Sequence, residues 1–257
     1  MKSSGAKVAW ADIASPKEEG GLGLRRLEDI NLAMMTRHIW NLCLPGSASK
    51  WVNWVKVYLI REHSFWDVPI PSNCSWTWRK LLGMRERIRP FLSHKIGDGE
   101  DTMLWFDNWL PMGPILSNFE DRVIYDSGLS RYARVSSIIQ NGAWRWSVAN
   151  SPDLLILKES IPPTLMPNCE QRDRLLWRPT LSGTFSTSAA WKVLRTPHPK
   201  VDWHKLVWFS GTIPKAAFIL WLAIRKRLGT QDRLFNPTPT GCLFCNSLLE
   251  THEHLFF

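Results

Sequence analysis

Apolar residues recur at helical spacing along much of the chain, and they place a first long helix between about Glu28 and Cys43. Leu27, Ile30, Met34, Met35, Ile39 and Leu42 form its stripe. Glu28 and Asp29 occupy the first turn, where the helix dipole favours acids, and Pro45-Gly46 ends it. A second helix, Ser49 to about Ile60, puts Trp51, Val55, Tyr58 and Leu59 on one side; the short connection makes it an antiparallel neighbour of the first. A third, about Ser75 to Arg89, turns Trp78, Leu81, Leu82 and Ile88 inward. The periodicity then changes, and Lys95 to Phe106 reads as a β-hairpin turning at Gly97-Asp98-Gly99. Residues 111–152, punctuated by Pro111, Gly113-Pro114 and Ser151-Pro152, read as a linker with little regular structure. A short helix follows, Asp153 to Ser160, with proline suited to its first position.

The C-terminal part opens with a second predicted hairpin, Arg174 to Trp177 against Thr184-Phe185 across Ser182-Gly183. Helices are expected at about Thr187–Arg195, Trp203–Ser210 and Pro214–Leu228. The last buries Phe218, Trp221, Leu222 and Ile224 and stops at Gly229. The pattern therefore predicts an α+β fold, predominantly α-helical, with two small β-hairpins. Two regions are expected: residues 1–150, a helical connection region with a hairpin near 95–106, and residues 170–257, a second domain. The boundary falls between about 140 and 170. Before the first helix, residues 7–24 read as extended and turn-rich. Gly20-Gly21-Leu-Gly23 matches neither nucleotide-binding fingerprint, and a plain turn accounts for it.

Composition sharpens this picture in two ways. Apolar content of 44% supports a real core, and 16 Trp supply large buried areas, with any left exposed able to stack on bases. The net charge of +9 favours polyanionic partners. The densest basic face belongs to the third helix, where Arg79, Lys80, Arg85, Arg87 and Arg89 face one acid, Glu86; it is either a nucleic-acid contact or a solvated surface. Five Cys, three of them scattered, do not make a secreted disulfide framework. No signal peptide or membrane-spanning run is visible, so the expectation is an intracellular protein with no membrane partner.

Chemistry concentrates at the end of the chain. Cys242-Leu-Phe-Cys245 puts two thiols on one turn, and Glu250-Thr-His-Glu-His254 follows. Two Cys on a knuckle and a His on a later helix are a metal-site order, although a redox pair or inert thiols also fit a lone Cys-x-x-Cys. The proline-rich run before Cys242 suits a knuckle better than the strand end of a redox motif. Cys242, Cys245 and His254 are the candidate ligands, with His252 the alternative histidine. Zinc would have an incomplete ligand set, since it takes four. The acids Asp98, Glu100, Asp101 and Asp107 lie close together in sequence, but turn solvation explains most of them, and no His or regular ligand spacing accompanies them.

The ordered motifs resemble a known family. Ile213-Pro-Lys215, Trp221-Leu222, Arg227-Leu-Gly-Thr230, Asp232-Arg-Leu234, Cys242-x-x-Cys245, Glu250-Thr251 and His254-Leu-Phe-Phe257 resemble the zinc-binding domain after the polymerase in plant non-LTR (LINE-type) retrotransposon reverse transcriptases. Thr180-Leu-Ser-Gly-Thr-Phe-Ser186 fits its start. Lys7-Val-Ala-Trp10, Glu19-Gly-Gly-Leu-Gly-Leu24, Gly97-Asp98-Gly99 and Trp105-Phe-Asp107 resemble the preceding region of the same elements. The resemblance implies zinc as cofactor, and RNA or DNA and the polymerase domain of the parent element as partners. It also implies a further Cys beyond His-Leu-Phe-Phe, so the zinc domain is expected to be truncated here.

The sequence contains no Asp-Asp pair for two-metal nucleotidyl transfer, no P-loop and no zincin motif. The expectation is a non-catalytic, zinc-binding, nucleic-acid-associated fragment of a reverse transcriptase. The competing expectation is a structural or protein-interaction remnant that docked on the missing polymerase.

Overall fold

The computed structural model describes residues 8–146, 151–231, 242, 244–246 and 250–256. The chain packs as two units, residues 31–195 and residues 1–30 with 196–257. The sequence pattern drew its boundary between 140 and 170; the packing units join residues 31 to 195 because strands from both sides of that boundary pair with each other.

In the unit of residues 31–195, the helix Leu27–Cys43 buries Ala33, Met35, Thr36, Ile39 and Leu42, while Met34 lies on the water side. The second predicted helix divides. Ser49 caps Lys50–Val55 by accepting a hydrogen bond from the Val52 N–H, and a π-turn, Lys56–Ile60, follows. Its buried residues are Val52, Val55 and Ile60; of the residues predicted to pack, Val55 is buried and Leu59 half-buried, while Trp51 and Tyr58 are exposed. The third helix also divides, into Trp76–Gly83, Arg85–Ile88 and a 3-10 turn, Arg89–Phe91; Trp78, Leu81, Leu82 and Ile88 are buried as the periodicity predicts.

The two small antiparallel sheets are present with different partners from those read in the sequence. Strand β1, Leu92–Lys95, pairs with β4, Arg174–Trp177, in the register Leu92 to Trp177 and Lys95 to Arg174. The predicted hairpin over residues 95–106 is therefore a loop after β1. The predicted partner of β4 contributes only local bonds: the Trp177 N–H donates to the Gly183 carbonyl at 2.8 Å. A true hairpin joins β2, Ile139–Gln140, to β3, Ala143–Trp144, through Asn141 and Gly142, both at positive φ. It lies in the stretch read as a linker. That stretch is packed: Ile115, Val123, Val135 and Ile138 are fully buried. Its helices are three to six residues long, too short to show a period.

The other unit has its own core of Val8, Val207, Ala217, Trp221 and Leu222, with Ile13, Leu22, Trp203, Trp208, Ile224 and Leu228 against it. The helix Pro214–Ile224 buries Trp221 and Leu222, while Phe218 is 43% exposed. Gly20-Gly21-Leu-Gly23 is indeed a turn. A side chain at Gly21 would lie 2.1 Å from the Ser15 carbonyl oxygen, and Gly20 has φ 81. The Gly20 carbonyl accepts from Trp221 Nε1 at 2.8 Å and from the Arg225 guanidinium, which also pairs with Asp12 at 3.5 Å. Arg225 is thus a brace, beyond the general preference for cations at helix C-termini.

Candidate metal centre and basic surface

The knuckle is built locally. The Asn246 N–H donates to the Cys242 carbonyl at 2.7 Å, and Asn246 takes φ 58, turning the chain back after the second thiol. Thr251 then starts the helix His252–Phe256: its Oγ1 accepts from the His254 N–H at 3.1 Å. Serine and threonine favour this capping role because they satisfy an N–H with no partner inside the helix. The result aims His254 at the thiols. The ligand atoms of Cys242, Cys245 and His254 all lie within 4.8 Å of one another, and Cys245 Sγ sits 3.0 Å from His254 Nε2.

The two predicted histidines separate cleanly. His254 joins the cluster, whereas His252 is 3% exposed and its ring packs on Phe256, centroids 5.0 Å apart. Neither ring nitrogen of His252 has a hydrogen-bond partner among the described residues. Alternate positions on a short helix point to different sides, so only one of the pair can face the knuckle. Lys226 forms an ion pair with Glu253, tying this helix to the end of Pro214–Ile224 and holding the Glu253 carboxyl below its usual range. The donor set fits zinc: two thiolates and an imidazole are soft and borderline ligands suited to it, and their mutual approach is that of atoms sharing one ion.

The basic face is less uniform than its sequence. Arg85 donates to the carbonyls of Leu82, Phe65 and Val68 at 2.8–3.0 Å. Arg89 donates to the Phe106 carbonyl and lies over the Trp66 ring at 5.1 Å. Burial pulls both guanidinium groups below their ordinary values, against nearby acids. Arg87 reaches the Leu194 carbonyl at 2.9 Å while remaining exposed. Arg79 bonds the Ser72 carbonyl at 2.7 Å, and Lys80 lies 5.8 Å from the Trp76 ring; both are exposed. Arg85 and Arg89 are therefore structural braces, and the outward charge of this face comes from Arg79, Lys80 and Arg87.

The acidic loop has a structural logic that the sequence did not reveal. Its centre is Asp173, which is buried. The Asp173 carboxylate accepts from the N–H groups of Gly97 at 2.7 Å, Gly99 at 2.9 Å and Asp101 at 3.1 Å, and from Thr102 Oγ1 at 2.6 Å. Gly97 and Gly99 are required by this wrapping: side chains there would come within 2.2 Å of the Gln171 carbonyl and 2.5 Å of the Ser136 nitrogen. Asp107 is likewise internal, accepting from Trp66 Nε1 at 2.8 Å and the Met103 N–H at 2.7 Å. The signal available in the sequence was the paired glycines, whose backbone N–H groups make a cradle for an anion.

Residues 185–257 match the family described as zinc-binding in reverse transcriptase. The match covers the C-terminal segment, so this part of the chain is similar to the reverse transcriptase zinc-binding family. The matched span contains the whole Cys242, Cys245 and His254 cluster. A protein of Arabidopsis thaliana provisionally named as a ribonuclease H protein is 25% identical over 268 residues, covering 96% of this chain and 41% of its own length. An uncharacterized mitochondrial protein of the same plant is 26% identical over 113 residues, covering 42% of this chain and 73% of its own length. The chain thus spans well under half of the first relative. No solved structure matches it. Among the described residues, no helix is long and apolar enough to cross a membrane.

Proposed function

We propose that this chain is a non-catalytic, zinc-binding, nucleic-acid-associated part of a plant LINE-type retrotransposon reverse transcriptase. One observation carries the reading: the three donor atoms that converge within 4.8 Å fall inside the segment that matches the reverse transcriptase zinc-binding family. Cys242, Cys245 and His254 would hold the ion, and zinc, when bound, supplies folding free energy to the knuckle and its helix. Thr251 and the Lys226–Glu253 pair orient the His254 helix. The positive charge supports a polyanionic partner, and the relative's ribonuclease H name is consistent with a nucleic-acid setting.

The test is a competitive chelator titration of the full chain with zinc. The parent should take up about one equivalent, with cobalt substitution giving thiolate-to-metal absorption, and Cys242→Ser should lose both. Equal uptake by the parent and Cys242→Ser would refute the assignment. A second reading, a protein-interaction surface for the polymerase, is favoured by Phe244 and Phe256, which are 89% and 47% exposed beside the knuckle. Salt separates the two, since phosphate contacts weaken steeply as salt rises and apolar docking does not.

A further inference from the structure

We propose that the exposed aromatic face of the helix Lys50–Val55 and its π-turn Lys56–Ile60 is a stacking platform for single-stranded nucleic acid. Arg37, Lys50 and Arg61 would hold the phosphates. The proposal rests on the nucleic-acid-associated reading above, and it places the contact outside the segment that matches the zinc-binding family.

This segment buries Val52, Val55 and Ile60 and leaves its rings in water. Trp51, Trp54 and Tyr58 are 38%, 50% and 60% exposed. Their spacing, three and then four residues, puts them on one face. Trp54 and Tyr58 lie with centroids 5.7 Å apart and planes 36° from parallel; Trp51 meets the exposed His38 edge-on at 5.2 Å. The same chain buries Trp66, Trp78, Trp105, Trp109 and Trp177, so aromatic residues here are not exposed for want of a core.

The stretch of chain that carries the rings is charged almost entirely with one sign. Between Met34 and His63 the only acid is Glu62, against Arg37, Lys50, Lys56 and Arg61. Arg37, Lys50 and Arg61 are exposed, and among the described residues none forms an ion pair. Flat π faces among unpaired cations suit alternating bases and phosphates, because every base can stack and every phosphate is negative. An apolar protein partner needs no such charge bias. The backbone is unusual at the same place. The π-turn runs into Arg61, which takes φ 57 and ψ −125, a costly conformation for a residue with a side chain.

The test uses the full chain and fluorescence anisotropy of a labelled oligothymidylate, about 20 nucleotides long to exceed a typical single-strand site. Trp54→Ala with Tyr58→Ala should weaken binding about tenfold or more with the salt slope unchanged, whereas Trp54→Phe should stay near the parent. Lys50→Ala with Arg61→Ala should flatten the salt slope by about 1.4, two phosphate contacts at the single-strand value. Melting curves control for folding; if the double aromatic variant melts early, Trp54→Gln alone carries the comparison. Parent-like affinity in the aromatic variants, or equal affinity of the parent for duplex, overturns the platform and leaves the broader nucleic-acid reading intact. A parent that binds no oligonucleotide overturns both. Loss of protein association with oligonucleotide affinity unchanged makes the face a protein-docking surface and refutes the proposal.

Discussion

Two places in this molecule gather polar groups around a point, and they do it by opposite means. Around Asp173 the chain supplies the donors itself: three backbone N–H groups and one hydroxyl converge on a buried carboxylate. Around His254 it gathers two sulfurs and a ring nitrogen, groups that as ligands all offer electron pairs. The first cluster is complete as the chain folds. The second would be completed by a cation at its centre. The contrast explains why acidic residues near Gly97 carry no metal argument while three donors at the C-terminal end do.

The largest expected effect comes from breaking the self-supplied cluster. Asp173→Ala should destabilise the unit of residues 31–195 by about 3–5 kcal/mol, because it strands several buried N–H groups at once. Urea unfolding reports it, and added chelator should leave the difference unchanged. A loss below about 1 kcal/mol would mean that water replaces the carboxylate without penalty.

The two histidines sharpen the comparison within the metal region. His254→Ala should cost at least about a hundredfold in zinc affinity, the upper range for perturbing even an outer partner of a ligand. His252→Ala should cost little affinity directly but should loosen the helix His252–Phe256 by about 1–2 kcal/mol through lost packing on Phe256. Chelator competition and amide exchange of that helix separate the two outcomes. The reverse pattern would assign the ligand to His252.

The smallest effect is a pH dependence. Burial acts to raise the Asp67 carboxyl, but hydrogen bonds from Arg131 at 3.2 Å and Tyr132 at 3.0 Å outweigh it and leave the group below its ordinary value. A carboxyl lowered by folding stabilises the protein above its unfolded pKa, and that contribution is lost as pH falls through the folded value. Asp67→Asn should therefore cost about 1 kcal/mol at neutral pH, a modest figure for a solvent-screened pair. The cost should shrink as pH falls through the folded value and vanish once the parent carboxyl is itself protonated. Thermal melts across pH check this, and a cost that persists in acid would trace to packing.

What the sequence made legible was local. The helix Leu27–Cys43 shows itself because its stripe, acidic first turn and Pro-Gly stop lie within one run. The donor cluster shows itself because Cys242, Cys245 and His254 are close in sequence and a single turn brings them together. The pairing of β1 with β4 could not be read in this way. Each strand is four residues long, the partners are far apart in the chain, and local turn residues suggested nearer partners. Asp173 was hidden for the same reason, since its donors begin at Gly97. The basic face was legible as charge and illegible as orientation. An arginine can lay its stem on apolar surface and send its guanidinium to a distant carbonyl, as Arg85 does to Phe65 and Val68.

The bond from Trp221 Nε1 to the Gly20 carbonyl joins residues 201 positions apart and closes the core of the discontinuous unit. On a ribosome adding about 5–20 residues per second, Gly20 waits about 10–40 s for that partner to be made. Residues 31–195 emerge in full during the wait and are free to fold first, while Val8, Ile13 and Leu22 stay without the helix Pro214–Ile224 that covers them. Val8, Ile13 and Leu22 are thus made well before the residues that cover them, which makes them a point where a nascent chain is open to chaperones and proteases.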